Sequence, residues 1–237
     1  MRSTAVGSRA FWLLLGVLLT LVLVPDAYAH GVSGKDALFL QSIQGPAIGP
    51  LMYLGAKHMV TGYDHLAFLV GVIFFLYRLK DIVLYVSLFT IGHSLTLLAG
   101  VLAGIRANPY LIDAIIGFSV VYKAFENLGG FRRLGFQPST KAAVFIFGLA
   151  HGFGLATKLQ ALNLNENGLV TNMIGFNIGV ELGQIFALSI ILALMVLWRK
   201  TSSFNRLAAA TNVLIMIAGF MLMEYQLAGY FLGLPVT

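Results

Sequence analysis

Six long apolar stretches, separated by short polar breaks, dominate the chain after residue 30. They run over about residues 51–77, 82–104, 110–128, 142–159, 169–198 and 207–229. An α-helix needs roughly 20 apolar residues to cross the hydrocarbon core of a bilayer, and these stretches are close to that length. Residues typical of turns stand in the breaks, as in Arg106-Ala-Asn-Pro109. The pattern predicts an all-α integral membrane protein with a six-helix transmembrane bundle.

Composition supports this fold class and excludes several others. Of the 237 residues, 59% are hydrophobic and 10% are charged, and the mean hydropathy is +0.88. Soluble domains carry about 25% charged residues, so this composition excludes a soluble enzyme, a nucleic-acid-binding domain and a disordered chain. Cysteine is absent, which excludes a disulfide scaffold and thiolate metal sites. A bound metal would have to be held by imidazole, carboxylate, amide or backbone groups.

The N-terminal 29 residues have the features of a secretory signal peptide. Arg2 and Arg9 precede an apolar run, and Ala27-Tyr-Ala29 supplies the small residues of a cleavage site. We therefore expect residues 1–29 to be cleaved and residues 30–237 to form a single six-helix domain. The alternative is a retained first helix. Cleavage would make His30 the N-terminal residue, with an amine and an imidazole as a further candidate metal site.

The placement of basic residues predicts the orientation of the bundle. Eight Lys and Arg residues lie in the first, third and fifth breaks: Arg78, Lys80, Arg132, Arg133, Lys141, Arg199, Lys200 and Arg206. The second and fourth breaks contain Arg106 and Lys158 alone. Because cytoplasmic loops are enriched in Lys and Arg, both mature termini should lie outside. We expect a multi-pass protein of a bacterial-type inner membrane.

Polar residues inside the apolar stretches are the candidates for chemistry, because an unpaired ionisable group is costly in hydrocarbon. The first stretch holds His58, Asp64 and His65. A helix that began only at His65 would be about 20 Å long, too short to span. We therefore expect one continuous helix from about Leu51 through Gly62.

Similar groups recur on the other stretches at similar depth: His93 with Ser94, His151, and Glu181 with Asn177 and Gln184. Small residues four apart let helices approach closely. Two apolar stretches carry glycines at this spacing: Gly148 and Gly152, and Gly175, Gly179 and Gly183. This pattern predicts that His151 and Glu181 come within reach of each other. Three interpretations are open: a metal site, a proton relay, or hydrogen bonds that join the helices. Lys123 and Glu126, next to Asn127, are spaced for a structural ion pair on one helix.

The order of these motifs resembles the HupE/UreJ family of hydrogenase/urease accessory membrane proteins. The matching segments are His58-x5-Asp64-His65, Gly92-His93-Ser94, Glu126-Asn127-Leu128, His151-Gly152-Phe-Gly154 and Phe176-Asn177-x3-Glu181-x-Gly183-Gln184. The resemblance implies a signal-bearing six-helix membrane protein that handles nickel or cobalt. The first two motifs are also similar to those of nickel/cobalt permeases, whose His and Asp residues ligate the metal. Those permeases have four residues between His and Asp-His, where this chain has five.

Together the residues and the resemblance favour a membrane permease or accessory protein for a divalent transition metal. Nickel or cobalt is favoured, with zinc also considered. The expected ligands are His58, Asp64, His65, His93, His151 and Glu181, supported by the polar residues Ser94, Glu126, Asn127, Asn177 and Gln184. The expected partners are the lipid bilayer and the metal, with metalloenzyme-maturation or outer-membrane uptake proteins also compatible. The alternatives are an intramembrane zinc hydrolase and a non-catalytic assembly or sensor subunit.

Overall fold

The protein is described here by a computed structural model that covers residues 34–162 and 164–234. Within these two ranges the chain forms nine helices and no strand. In chain order they are α1 (Gly34–Ser42), α2 (Ile48–Thr61), α3 (Tyr63–Ile73), α4 (Leu79–Ala103), α5 (Pro109–Asn127), α6 (Gly130–Arg133), α7 (Thr140–Ala161), α8 (Leu169–Arg199) and α9 (Ser202–Leu232). The predicted signal peptide, residues 1–29, and the candidate ligand His30 lie outside the described residues.

All six predicted apolar stretches fall on helices, but they differ in how well they suit a membrane. Among the described helices, α4, α7, α8 and α9 are long and apolar enough to cross one. Helix α5 carries three charged residues, and α2 and α3 have only 14 and 11 residues. The all-helical fold with several candidate membrane spans is therefore confirmed, while the count of six spans stays a prediction.

The prediction of one continuous helix through Gly62 is wrong. The first stretch divides into α2 and α3, because Gly62 adopts a ψ of 86° that no α-helix allows. Glycine has a low helix propensity, and the Asp64 side chain favours a new start by accepting a hydrogen bond from the backbone N–H of His65 at 2.8 Å. The carboxylate also lies in the first turn of α3, where a negative charge is favourable. The break thus falls among the predicted metal ligands.

Three helix pairs pack most closely: α2 with α8, α4 with α7, and α5 with α9. Glycine makes each contact possible. A Cβ on Gly179 of α8 would lie 2.0 Å from the Met52 carbonyl oxygen of α2. A Cβ on Gly152 of α7 would lie 2.0 Å from the His93 carbonyl oxygen of α4, and one on Gly117 of α5 would lie 2.6 Å from the Met223 backbone nitrogen of α9. Such small-residue contacts are typical of helices packed in lipid.

Polar side chains are concentrated inside the bundle, whereas large apolar side chains cover much of its outside. Exposed examples are Ile185 and Phe186 of α8 and Met221 of α9, each more than half exposed. The fully buried polar residues include His65, His151 and Ser119. This distribution suits a lipid environment, in which the outside needs no polar cover and the interior holds the groups that hydrocarbon would penalise.

Candidate metal centre

Four histidines meet inside the bundle, with His65 at their centre. The distances between ring centroids are 4.6 Å from His65 to His151, 5.3 Å to His93 and 5.5 Å to His58. All four side chains are buried, His58 the least at 9% exposed. The sequence predicted that His65, His93 and His151 would converge, and the three helices α3, α4 and α7 bring them together.

Asp64 holds His65 in place. Its Oδ1 accepts the backbone N–H of His65 and lies 3.1 Å from Nδ1 of the same imidazole. When Nδ1 carries the proton and donates to this carboxylate, the lone pair of the ring is on Nε2. A carboxylate behind an imidazole is a common arrangement for a histidine that ligates a metal, because it fixes both tautomer and orientation. The adjacent pair Asp64-His65 therefore suits metal ligation.

Ser119 of α5 plays the corresponding role for His151. The Ser119 hydroxyl donates to the Ile116 carbonyl oxygen at 2.6 Å, and its oxygen lies 3.0 Å from Nε2 of His151. Because the hydroxyl proton is already donated, the serine oxygen can accept the N–H of Nε2. The lone pair of His151 is then on Nδ1. Sequence reasoning missed Ser119 altogether.

The His93 imidazole is buried without a hydrogen bond in the part of the chain that the structure describes. Its side chain is 1% exposed, and neither ring nitrogen has a hydrogen-bond partner among the described residues. Burial of a polar group without a partner is costly, and such groups in native proteins usually bind a ligand, an ion or water. Phe89 and His65 pack against the ring. An incoming metal would give the His93 nitrogen the partner that these neighbours do not supply.

The donor set fits a divalent transition metal, although the side chains are not in ligating positions. Neutral imidazoles with one carboxylate suit nickel, cobalt or zinc. In residues 34–162 and 164–234, however, no three His, Asp or Glu side chains are placed so that they could hold one ion together. The imidazoles instead contact one another edge to face, at interplanar angles of 68–82° around His65. Side-chain rotation would be needed before they shared a metal.

Glu181 lies apart from the histidines, in a cleft of about 590 Å³ between α4 and α8. Its Oε1 accepts a hydrogen bond from Asn177 Nδ2 at 3.2 Å, and Gln184 in the same cleft donates to Thr90 Oγ1 at 2.6 Å. The half-exposed carboxylate has no ring contact and no ion pair with the histidines in the part of the chain described.

The prediction that His151 and Glu181 come within reach of each other is wrong. Each of the two helices has a row of glycines, here called a glycine stripe, and each stripe contacts a different helix from the one predicted. Gly175, Gly179 and Gly183 of α8 lie against Ile48, Met52 and Ala56 of α2. Gly148 and Gly152 of α7 lie against α4. The stripes therefore join α8 to α2 and α7 to α4, and they do not bring α7 to α8. A glycine pattern identifies a close contact but does not identify its partner.

The other three polar residues predicted to support the metal site are Ser94, Glu126 and Asn127. Ser94 of α4 is half-buried, and its hydroxyl has no hydrogen-bond partner among the described residues. Glu126 pairs with Lys123 at 2.5 Å and accepts a hydrogen bond from Thr140. Asn127 donates to the Gly71 carbonyl oxygen at 2.8 Å and to Asn212 at 2.9 Å. Lys123 and Glu126 thus form the ion pair predicted on one helix, while Glu126 and Asn127 also connect α5 to α7, α3 and α9.

A buried ion pair between α5 and α7 was also missed. Lys158 Nζ lies 2.9 Å from Asp113 Oδ2, and both side chains are almost fully buried. The spacing of His151 and Lys158, seven residues apart, could have indicated that they share one face of α7. Asp113 stands inside a predicted span and could have been identified by the cost of its charge there.

Comparison with known protein families gives the same family as the one that the sequence motifs resemble. The profile of the family described as HupE / UreJ protein matches residues 34–233. No curated protein and no solved structure matches the chain. The matched range includes all four described histidines and all nine described helices. The chain belongs to the HupE/UreJ protein family.

Proposed function

We propose that this chain is a permease for a divalent transition metal, with nickel or cobalt as the favoured cargo. The observation that carries the proposal is the group of four buried imidazoles around His65, one of which, His93, has no hydrogen-bond partner in the described chain. Membership of the HupE/UreJ family supports the same metal class. Nickel suits nitrogen and carboxylate donors of this kind.

The break between α2 and α3 supports transport in particular. Transporters commonly bind their cargo at discontinuous helices, where helix C-terminal ends and unwound carbonyls face a cation. Here α2 ends and α3 begins at Gly62, between His58 and Asp64. The Asp64 carboxylate offsets the positive end of the α3 dipole, and together with the negative end of the α2 dipole it would attract a cation to this point. His58, Asp64 and His65 would capture the ion, and His93 and His151 would bind it deeper in the bundle.

Glu181 has a different role in this proposal from that of the histidines. It lies in the α4–α8 cleft near Asn177 and Gln184, and this position suits a second polar binding site for the ion, separate from the histidines. The topology with both mature termini outside and a bacterial-type inner membrane as the location belong to the same proposal, because they rest on the distribution of Lys and Arg.

The test is metal uptake into proteoliposomes that contain the purified full chain, with nickel, cobalt and zinc in parallel. We expect accumulation far beyond one ion per chain, and at least a tenfold loss in His93→Ala, because loss of a ligand removes much of the binding energy. Phe89→Leu is the matched control, since Phe89 packs against the same rings but carries no donor. Folding of each variant is checked by thermal unfolding.

Two outcomes would contradict a permease. Saturation near one ion per chain would identify the metal as bound in place and favour the intramembrane hydrolase. The second outcome is that neither the folded wild type nor folded His93→Ala binds any of the metals. The histidines would then be hydrogen-bonding and packing groups, and an assembly or sensor subunit would be favoured.

A further inference from the structure

Asp113 and Lys158 form an ion pair inside the bundle, between α5 and α7. The side chains are 6% and 11% exposed, and the Nζ–Oδ2 distance is 2.9 Å. The pair between Lys57 and Asp36 is far more exposed, and the pair between Lys123 and Glu126 lies on one helix. A buried ion pair is generally no more stabilising than a well-packed apolar pair, so it is weak evidence for a stabilising role.

The pair lies at one end of the histidine cluster. Lys158 follows His151 by seven residues on α7, which is two turns and about 10 Å along the same face. Asp113 precedes Ser119, the residue that contacts His151, by six residues on α5. The Asp113 carboxylate interacts electrostatically with Asp64 and His65, and the Lys158 ammonium interacts with His58. Both charges are therefore near the proposed ligands, since Lys158 lies within about two helical turns of His151, and Asp113 lies within about two turns of Ser119.

Helix α7 has a glycine where the Asp113 carboxylate approaches it. A Cβ on Gly154 would lie 3.3 Å from Asp113 Oδ1 and 2.7 Å from the Ile116 side chain. Gly154 stands between His151 and Lys158, so the carboxylate lies close to the α7 backbone between these two residues. The carboxylate thus lies against α7 within about one helical turn of both His151 and Lys158.

We infer that Asp113 is a further cation-binding carboxylate of this site, and that the Lys158 ammonium is a tethered cation which an arriving divalent metal displaces. The inference rests on the proposed function and deepens it. Charge supports the exchange: Asp64 and Asp113 together supply two negative charges, which match one divalent ion. Without the metal, Lys158 balances Asp113 and keeps a buried carboxylate from standing alone.

The exchange predicts opposite effects from two variants of the full chain, measured as nickel binding by calorimetry in detergent. Lys158→Met removes the competing cation and should tighten nickel binding about tenfold. The double variant Asp113→Asn with Lys158→Met removes both charges and should weaken nickel binding at least tenfold, on the scale of lost outer-shell and ligand groups. An ion pair with a purely structural role would change thermal stability in the two variants but not the nickel Kd.

Lys123→Met is the matched control, because it breaks the other buried ion pair of α5 away from the histidines. It should lower thermal stability and leave the nickel Kd unchanged. A wild-type Kd in both Lys158 variants would overturn the inference while leaving the permease intact. The absence of nickel binding in both wild type and Lys158→Met would overturn it as well. Failure of the proposed function alone is seen separately, as proteoliposome uptake that saturates near one ion per chain while the nickel Kd still responds to the Lys158 variants.

Discussion

The His65 ring meets the His151 ring edge-on, with 4.6 Å between their centroids and an interplanar angle of 82°. Among the described histidines this is the shortest ring contact. An edge-to-face arrangement directs the edge of one imidazole at the face of the other, so the two lone pairs do not point at one position. Metal binding by these residues therefore requires at least one ring to turn, and His65 is the ring that contacts the other three.

The central position of His65 predicts a rank order among the histidine variants. We expect His65→Ala to weaken nickel binding by at least tenfold, on the scale reported for metal-site residues, and by more than His58→Ala does. His58 contacts the His65 ring at the edge of the cluster and is the most exposed of the four histidines at 9%. Calorimetric titration with nickel measures both Kd values, and thermal unfolding checks that each variant is folded. An equal or larger loss in His58→Ala would contradict the central role of His65.

Ser119 should act on the metal through His151. Ser119→Ala removes the oxygen that contacts His151 Nε2, and we expect about a tenfold weaker nickel Kd because the imidazole loses its orientation. Ser119→Thr keeps the hydroxyl and should restore most of the affinity. Ser42→Ala is the control, since the exposed Ser42 hydroxyl at the end of α1 donates to the Phe39 carbonyl oxygen and lies outside the site and the cleft. A wild-type Kd in Ser119→Ala would show that the contact does not orient the ring.

Uptake should fall in acid, because protons and metal compete for the imidazole nitrogens. A protonated imidazole has no lone pair left on that nitrogen and cannot ligate a metal through it. We therefore expect the initial rate of nickel uptake to decline as the pH is lowered, and to be restored when the pH is raised again. The measurement is uptake into proteoliposomes with equal internal and external pH. A rate that does not fall at any acid pH at which the protein stays folded would contradict histidine ligation of the cargo.

Gly179 should tolerate no side chain. A Cβ there would lie 2.0 Å from the Met52 carbonyl oxygen, so Gly179→Ala forces α2 and α8 apart and should cost about 1–3 kcal/mol of stability. Gly49→Ala on α2 is the matched control, because a Cβ at Gly49 would meet nothing within 4 Å. Thermal unfolding in detergent compares the two. Equal stability of Gly179→Ala and wild type would mean that this contact is looser than described.

Local sequence patterns predicted the helices and the convergence of three histidines. Long apolar stretches leave few alternatives to a helix, and His65, His93 and His151 stand at similar depths on their helices. The break at Gly62 was not predicted, because the length argument favoured a longer helix. The Asp64 carboxylate, which pairs with the backbone of the next residue, favours the break instead.

The sequence pattern could not predict which helices contact each other. Gly175, Gly179 and Gly183 marked a close contact correctly, but the pattern could not say that the partner is α2. For the same reason Ser119 and Asp113 were missed: their roles depend on α5 lying next to α7. An apolar stretch shows which residues lie in lipid, while the order of helices around a bundle depends on how their surfaces fit.

The three glycine contacts have a consequence for motion. Where two backbones touch without intervening side chains, as at Gly152 and Gly179, the partners have little freedom to slide, since packed interiors deform poorly. Each helix pair should then move as one rigid body. The α4–α8 cleft lies between two such bodies, α4 with α7 and α2 with α8, and it is only loosely filled. Rocking of one body against the other would change the width of that cleft and shift His93 and His151 together relative to His58, which is the motion that alternating access requires.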